Sequence, residues 1–122
     1  MTTIAVVEDN PDNRLLLQAL LSDRYELVEF DNGTDALAGL VASLPDLVLL
    51  DISLPGMDGN EILNRIRGDA RLRALPVIAL TAHAMAGDRE KYLDAGFDDY
   101  VTKPIVDETL LLGAIEQRLT VR

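Results

Sequence analysis

The sequence predicts an open α/β fold: a five-stranded parallel sheet in the order 2-1-3-4-5, with five helices on its two faces. Two observations predict it. A short apolar run followed by a longer helix-like segment recurs about five times, and such alternation gives parallel strands joined by right-handed crossovers. Three of the runs, 3–7 (TIAVV), 46–50 (DLVLL) and 76–80 (PVIAL), are nearly continuous Val, Ile, Leu and Ala, as strands covered on both faces require. The other two are 25–30 (YELVEF) and 99–102 (DYVT). YELVEF alternates apolar with polar residues, which suits a strand nearer an edge. A length of 122 residues fits one domain, 1–122, with no Ser/Gly-rich linker, low-complexity tract or repeat inside it. At this size the strand order is the flavodoxin-like one.

The helices have readable ends. Asn10 before Pro11 supplies an N-cap and a proline at the first helical position, opening a helix over about 11–22. The second helix covers about 34–43, after an Asn32-Gly33 turn, and the third about 59–67 with Asp58 as its cap. The fourth covers about 86–95 and stops at Gly96, a residue suited to a left-handed C′ position. The fifth runs over about 107–119 with Asp107 at its start.

Composition narrows the function classes. Eleven Lys and Arg stand against 21 Asp and Glu, a formal net charge of −10 that repels nucleic acid and anionic lipid. Hydrophobic residues at 48% and charged residues at 26% give a globular balance, not a disordered one. Without cysteine there is no disulfide framework, thiolate zinc site or cysteine nucleophile. No apolar run approaches the roughly 20 residues of a membrane helix. MTTIAVVEDN has no secretory pattern, so a cytoplasmic location is expected.

The polar residues at the strand ends carry the functional signal. Glu8 and Asp9 follow the first strand, Asp51 the third, Thr81 the fourth, and Lys103-Pro104 the fifth. In an open α/β sheet the ligand crevice lies outside the C-terminal strand ends, at the switch between strands one and three. Three carboxylates, a hydroxyl and an ammonium should therefore converge there. Packed carboxylates repel unless a cation sits among them, and oxygen ligands with open positions suit Mg²⁺. Thr81 and Lys103 then face the metal as a donor and a fixed positive charge, an arrangement able to hold a phosphoryl group from two sides. Singly, each residue has an ordinary role: Glu8 and Asp9 at the positive end of a helix, Asp51 in a turn, Thr81 as a β-branched strand residue, Lys103 in solvent. Their joint placement on one sheet edge argues against four coincidences.

With these residues in place, the sequence resembles the receiver domains of two-component response regulators, the CheY-like superfamily, over essentially its whole length. The matching stretches are Glu8-Asp9, Asp51 within LVLLDISLPGMDG, Thr81 within IALTA, and AGFDDYVTKP ending in Lys103-Pro104. The resemblance implies that Asp51 accepts a phosphoryl group from a histidine kinase or histidine phosphotransfer protein. It implies Mg²⁺ bound by Asp9 and Asp51, by the Ser53 backbone carbonyl, and by Glu8 mostly through water. Thr81 would bond the phosphoryl oxygen, Lys103 would pair with it, and the Lys103-Pro104 peptide would be cis. Many relatives carry Asp where this chain has Glu8, whose longer arm still reaches a metal-bound water. The family's aromatic switch falls on Tyr100, which would turn inward as Thr81 moves toward the phosphate. The plainer reading of Tyr100 is a half-buried strand aromatic.

Other features fail or stay open. DISLPGMDGNEI starts like an EF-hand loop but has Ser53, Pro55 and Ile62 at ligand positions. No P-loop string exists, and the acids of EDNPDN would repel a flavin phosphate. His83, two residues after Thr81, either influences phosphoryl lifetime or is simply solvated. Leu15, Leu16, Leu17, Ala19, Leu20 and Leu21 cover more of the first helix than one core-facing stripe. The surplus either docks a partner's helix, with Asn13, Leu16 and Pro104 as the contact residues, or is covered by the loop after strand five.

The expected protein is a monomeric phosphoacceptor, not an enzyme turning over an external substrate, that signals by binding a downstream protein. Met1 close to strand one favours a stand-alone chain similar to the single-domain, DivK-like regulators of bacterial cell division. A receiver cut from a hybrid sensor kinase or multidomain regulator is the alternative. An aspartyl-phosphate hydrolase is a further one, disfavoured because Ser53 replaces the second acid of a D-x-D arrangement. A vestigial pocket in a fixed interaction module is a third.

Overall fold

The protein is described here by a computed structural model covering residues 2–54, 56–82, 88–103 and 108–120. Five strands, β1 (Thr3–Val7), β2 (Glu26–Phe30), β3 (Leu47–Asp51), β4 (Val77–Thr81) and β5 (Asp99–Thr102), alternate with five helices. These are α1 (Pro11–Leu21), α2 (Gly33–Ala42), α3 (Gly59–Gly68), α4 (Asp88–Ala95) and α5 (Glu108–Thr120). All four pairings are parallel, and the strand order is β2-β1-β3-β4-β5, as the sequence predicts. The alternating YELVEF segment is an edge strand, with Val28 39% exposed, whereas β3 and β4 are buried throughout.

The nearly continuous apolar runs have a direct cause: successive side chains of a strand point to opposite faces, and both faces here carry helices. Ala5, Val7, Val48, Leu50, Val77 and Ala79 enter the core under α2, α3 and α4, with Ala36, Leu40, Ile62, Leu63, Ile66 and Tyr92. Ile4, Val6, Leu47, Leu49, Ile78, Leu80 and Val101 enter the core under α1 and α5, with Leu17, Leu21, Leu111 and Ile115. This parity continues past the strand ends. Glu8 falls in step with Ile4 and Val6, Asp51 with Leu47 and Leu49, and Lys103 with Val101; Thr81 falls in step with Val77 and Ala79, on the opposite face.

Local chemistry sets the helix starts. Asn10 caps α1, accepting the amide of Asp12 at 2.8 Å with Pro11 opening the helix, and Asp58 caps α3, accepting from Glu61 at 3.0 Å. Asn32 differs from expectation: it is a cap in extended backbone, accepting from Asp35 at 2.8 Å, so α2 begins at Gly33. Gly96 ends α4 with φ 113°, as a C′ glycine should. The expected helix starts near 86 and at Asp107 lie outside the described residues. β3 and β4 end one residue later than expected, so Asp51 and Thr81 are the last residues of their strands and both lie within the sheet's ladder.

Two ties position the sheet edge. Arg67 of α3 donates to the carbonyls of Leu75, Arg73 and Gly96 and to Asp98, whose carboxylate also accepts the Val77 amide at 2.7 Å. One guanidinium thus fixes the entry to both β4 and β5. Gly59 packs the start of α3 onto the backbone leaving β3, donating its amide to the Ile52 carbonyl at 3.0 Å. A Cβ there would lie 2.7 Å from Ile52 Cα and 2.9 Å from the Asp51 carbonyl oxygen, neither of which is the yielding end of a side chain. No helix among the described residues is long and apolar enough to cross a membrane. Gly59→Ala should lower the unfolding free energy by about 2 kcal/mol, as overpacking against backbone does. Urea unfolding measures this, and an unchanged midpoint would contradict the close approach.

Candidate functional site

Parity and register bring three charged residues of one face together at the C-terminal edge of β1, β3 and β5. Val7 pairs with Leu50 and Asp51 with Leu80, so Glu8 and Asp51 stand side by side at the central strands. Lys103 follows β5 and is fixed by its own amide, which donates to the Thr81 carbonyl at 2.7 Å. Its Nζ lies 3.1 Å from Asp51 Oδ2 and 3.2 Å from Glu8 Oε1, bridging the two carboxylates.

The two acids are enclosed. Glu8 is 0% exposed and Asp51 2% exposed. Glu8 is held from three further directions: Asn13 Nδ2 of α1 donates to Oε1 at 3.0 Å, the Asn10 amide donates to Oε2 at 3.3 Å, and Arg14 donates to its backbone carbonyl at 2.7 Å. The other Asp51 oxygen, Oδ1, accepts the Ser53 amide at 3.0 Å. Asp9 is exposed at the mouth. Glu8, Asp9 and Asp51 each offer a carboxylate oxygen within 4.8 Å of the others.

The electrostatics follow from burial. Desolvation, then the hydrogen bond and negative charge of Asp51, push the Glu8 carboxyl above its ordinary value; the Asn10 amide and Lys103 oppose this without cancelling it. Burial works against the Lys103 ammonium, yet its contacts with Asp51, and then with Glu8, outweigh that penalty and raise it. One ammonium against three carboxylates leaves the pocket anionic and short of positive charge.

Glu8, Asp9, Asp51, Thr81 and Lys103 therefore converge at one edge, as their strand-end positions predict. The surface reading of Glu8, as an acid near a helix end, does not fit its complete burial: the side chain runs inward along the α1 face of the sheet. The side chain of Ser53 is exposed and its amide faces Asp51. Tyr100 is half-buried against the α2–α4 core. Thr81 is 1% exposed, and its hydroxyl lies 2.8 Å from the hydroxyl of Tyr92 on α4. On α1, Leu15 is 62% exposed and Leu16 half-buried, so part of the surplus leucine does reach the surface. Asn13 is half-buried with its amide on Glu8. His83 and Pro104, with the Lys103-Pro104 peptide, lie outside the described residues.

Two contributors were not evident from strand-end positions: Asn13 as a support for Glu8, and Tyr92 as the partner of Thr81. For Tyr92 the available signal was parity, since Thr81 falls in step with residues that face α4.

The fold and this charged edge define a class of signalling domain, and comparison with known proteins identifies it. Residues 4–116 match the response regulator receiver domain, and the chain belongs to that family. It is 42% identical over 111 residues to the sensor protein GacS of Pseudomonas syringae pv. syringae, covering 88% of this chain but only 12% of that protein. It is 43% identical over 115 residues to an uncharacterized 14.6 kDa protein of Leptolyngbya boryana, covering 93% and 87% of the two chains. Among solved structures it resembles the receiver domain of the sensor histidine kinase PA1611 of Pseudomonas aeruginosa PAO1, with a TM-score of 0.87, 34% identity and 98% of each chain covered. That domain was crystallised with a magnesium ion coordinated in its active-site cleft.

The raised Glu8 has a consequence for stability. A carboxyl whose pKa is higher folded than unfolded stabilises the fold in its protonated form, fully below the unfolded value near 4.5, and loses that contribution as pH rises through the folded value. With chelator present, the stability difference between wild type and Glu8→Gln should therefore shift in favour of wild type as pH falls from 7 toward 4.5. Urea unfolding across that range is the measurement; parallel pH profiles for the two proteins would contradict the assignment.

Proposed function

We propose that the domain accepts a phosphoryl group on Asp51 from the phosphohistidine of a histidine kinase or histidine phosphotransfer protein, with Mg²⁺ as cofactor. Its output is phosphorylation-dependent binding to a downstream protein. The observation that carries this reading is a buried carboxylate, Asp51, bridged to Glu8 by Lys103 within a cluster of three acids. Asp51 has an ammonium on one oxygen, Lys103 Nζ at 3.1 Å, and a backbone amide on the other, Ser53 at 3.0 Å.

The donor set fits Mg²⁺: hard oxygens, an exposed Asp9 at the mouth, and net negative charge. Asp9 and Asp51 would hold it through their carboxylates, Ser53 through its backbone carbonyl, and Glu8 mostly through water. When bound, Mg²⁺ neutralises acidic charge and phosphoryl-oxygen charge so that two anions can approach. The chain's own residues do the rest. An Asp51 oxygen forms the new bond to phosphorus as the phosphorus–nitrogen bond of the donor breaks, and the donor imidazole departs with that electron pair. Lys103 supplies a fixed positive charge beside the transferred group, and Thr81 donates its hydroxyl to a phosphoryl oxygen. Tyr100 then turns toward the space that Thr81 leaves.

We assign partner recognition to α1, where Leu15 is 62% exposed beside Asn13 and Leu16; Pro104 is a further contact residue on the family resemblance alone. The domain acts as a monomer in the cytoplasm and turns over no external phosphate ester. Two settings are supported by the relatives. The chain matches 87% of the small Leptolyngbya protein, which favours a stand-alone switch like the DivK-like cell-division regulators. It also matches 12% of a sensor kinase, which favours a receiver module within a phosphorelay.

Incubation with Mg²⁺ and a small acyl-phosphate donor should add one base-labile phosphoryl group to the wild type, read by intact mass. Asp51→Asn should show none. An adduct of equal yield on Asp51→Asn would overturn the assignment.

A further inference from the structure

Tyr92 has no part in the phosphoacceptor chemistry, yet its position bears on it. The side chain is 5% exposed and its hydroxyl lies 2.8 Å from that of Thr81, itself 1% exposed. Its ring is fixed on two sides, edge-on to Phe97 at 5.9 Å between centroids and tilted against Tyr100 at 5.6 Å. A hydrogen bond between two hydroxyls shielded from water is costly to break, because neither oxygen can turn to solvent for a replacement.

The sheet makes this contact consequential. Thr81 is in step with Val77 and Ala79, whose side chains face α2–α4, while Asp51 is in step with Leu47 and Leu49 on the opposite face. In this arrangement the Thr81 hydroxyl is engaged on the α4 side of the sheet. Serving a phosphoryl group on Asp51 requires it to swing to the other side. The same swing opens space beside the Tyr92 and Tyr100 rings, which already touch.

We propose that Tyr92 is a latch on the switch hydroxyl: its bond to Thr81 holds the domain in the resting arrangement, and phosphorylation must break that bond before Thr81 reaches the phosphoryl group. Tyr92 is thus a positioning residue that sets the balance between two states, and its ring contact relays the movement of Thr81 to Tyr100. The inference rests on the reading of Asp51 and Thr81 given above. A ligand that binds only the switched state has its apparent affinity reduced by the rarity of that state, so weakening the latch must tighten it.

Beryllofluoride, a phosphoryl mimic, is the probe, titrated into the full chain at saturating Mg²⁺. Tyr92→Phe keeps the ring and removes only the hydroxyl. It should bind beryllofluoride about three- to tenfold more tightly, the scale of one neutral hydrogen bond, with Mg²⁺ affinity unchanged. In a Thr81→Val background the same substitution should have no effect on beryllofluoride, because the bond is already absent. A wild-type protein labelled at tyrosine Cζ gives a test free of mutation: the Tyr92 resonance should shift on addition of beryllofluoride and stay in place with Mg²⁺ alone. Unchanged or weaker beryllofluoride binding by Tyr92→Phe, an equal gain in the Thr81→Val background, or an unmoved Tyr92 resonance would each overturn the latch. Failure of the wild type to bind beryllofluoride at all would instead strike the Asp51 reading on which the latch depends.

Discussion

The structure turns on one ammonium group. Lys103 Nζ touches two buried carboxylates at 3.1 and 3.2 Å, and without it Glu8 and Asp51 would be adjacent acids with no cation between them. Adjacent buried carboxylates repel, and a cation between them offsets that repulsion. Lys103 keeps Asp51 in charge contact, while the enclosure around Glu8 still raises that residue's affinity for a proton. The pocket is thereby left anionic, partly compensated, and open at Asp9, the condition that suits a divalent cation.

The parity of the strands explains how so few residues assemble the proposed switch. One face of the sheet delivers Glu8, Asp51 and Lys103, and the other delivers Thr81 to the neighbourhood of Tyr92 and Tyr100. The carboxylate cluster and the Thr81–Tyr92 contact are therefore separated by the thickness of a sheet and meet at its edge. The proposed function uses the first for charge chemistry and the second for conformational readout. The rigid parts support this division. Arg67 fastens the entries to β4 and β5, and Gly59 lets α3 approach the backbone that leaves Asp51. Both ties hold strand ends in place, so that rearrangement can be confined to side chains at the edge.

Most of the fold was legible because each element announced itself twice, through periodicity and through a terminal residue. The continuous runs TIAVV, DLVLL and PVIAL read as strands covered on both faces, and Asn10-Pro11, Asp58 and Gly96 marked helix ends by cap chemistry. The charged members of the site were legible only jointly: each alone has an ordinary structural use, but together they follow the strands on one edge of the sheet. Details set by tertiary context were harder to read. Asn32 serves as a cap because its own backbone is extended, which a turn-forming Asn-Gly pair does not reveal. The complete burial of Glu8 depends on Asn13 and Arg14 closing over it from α1. Tyr92 carries no signal of its own in the sequence, since its contact is with a hydroxyl eleven positions away that only the fold brings near.

The central claim is that Asp51, and not its acidic neighbours, forms the new phosphorus–oxygen bond. Borohydride reduces an acyl phosphate on aspartate to homoserine and leaves free carboxylates intact, so peptide mapping after phosphorylation and reduction reads the acceptor directly in the unmutated chain. Homoserine is expected at position 51 alone, and only when Mg²⁺ was present. Reduction at Asp9 or Glu8, or modification at Asp51 independent of Mg²⁺, would contradict it.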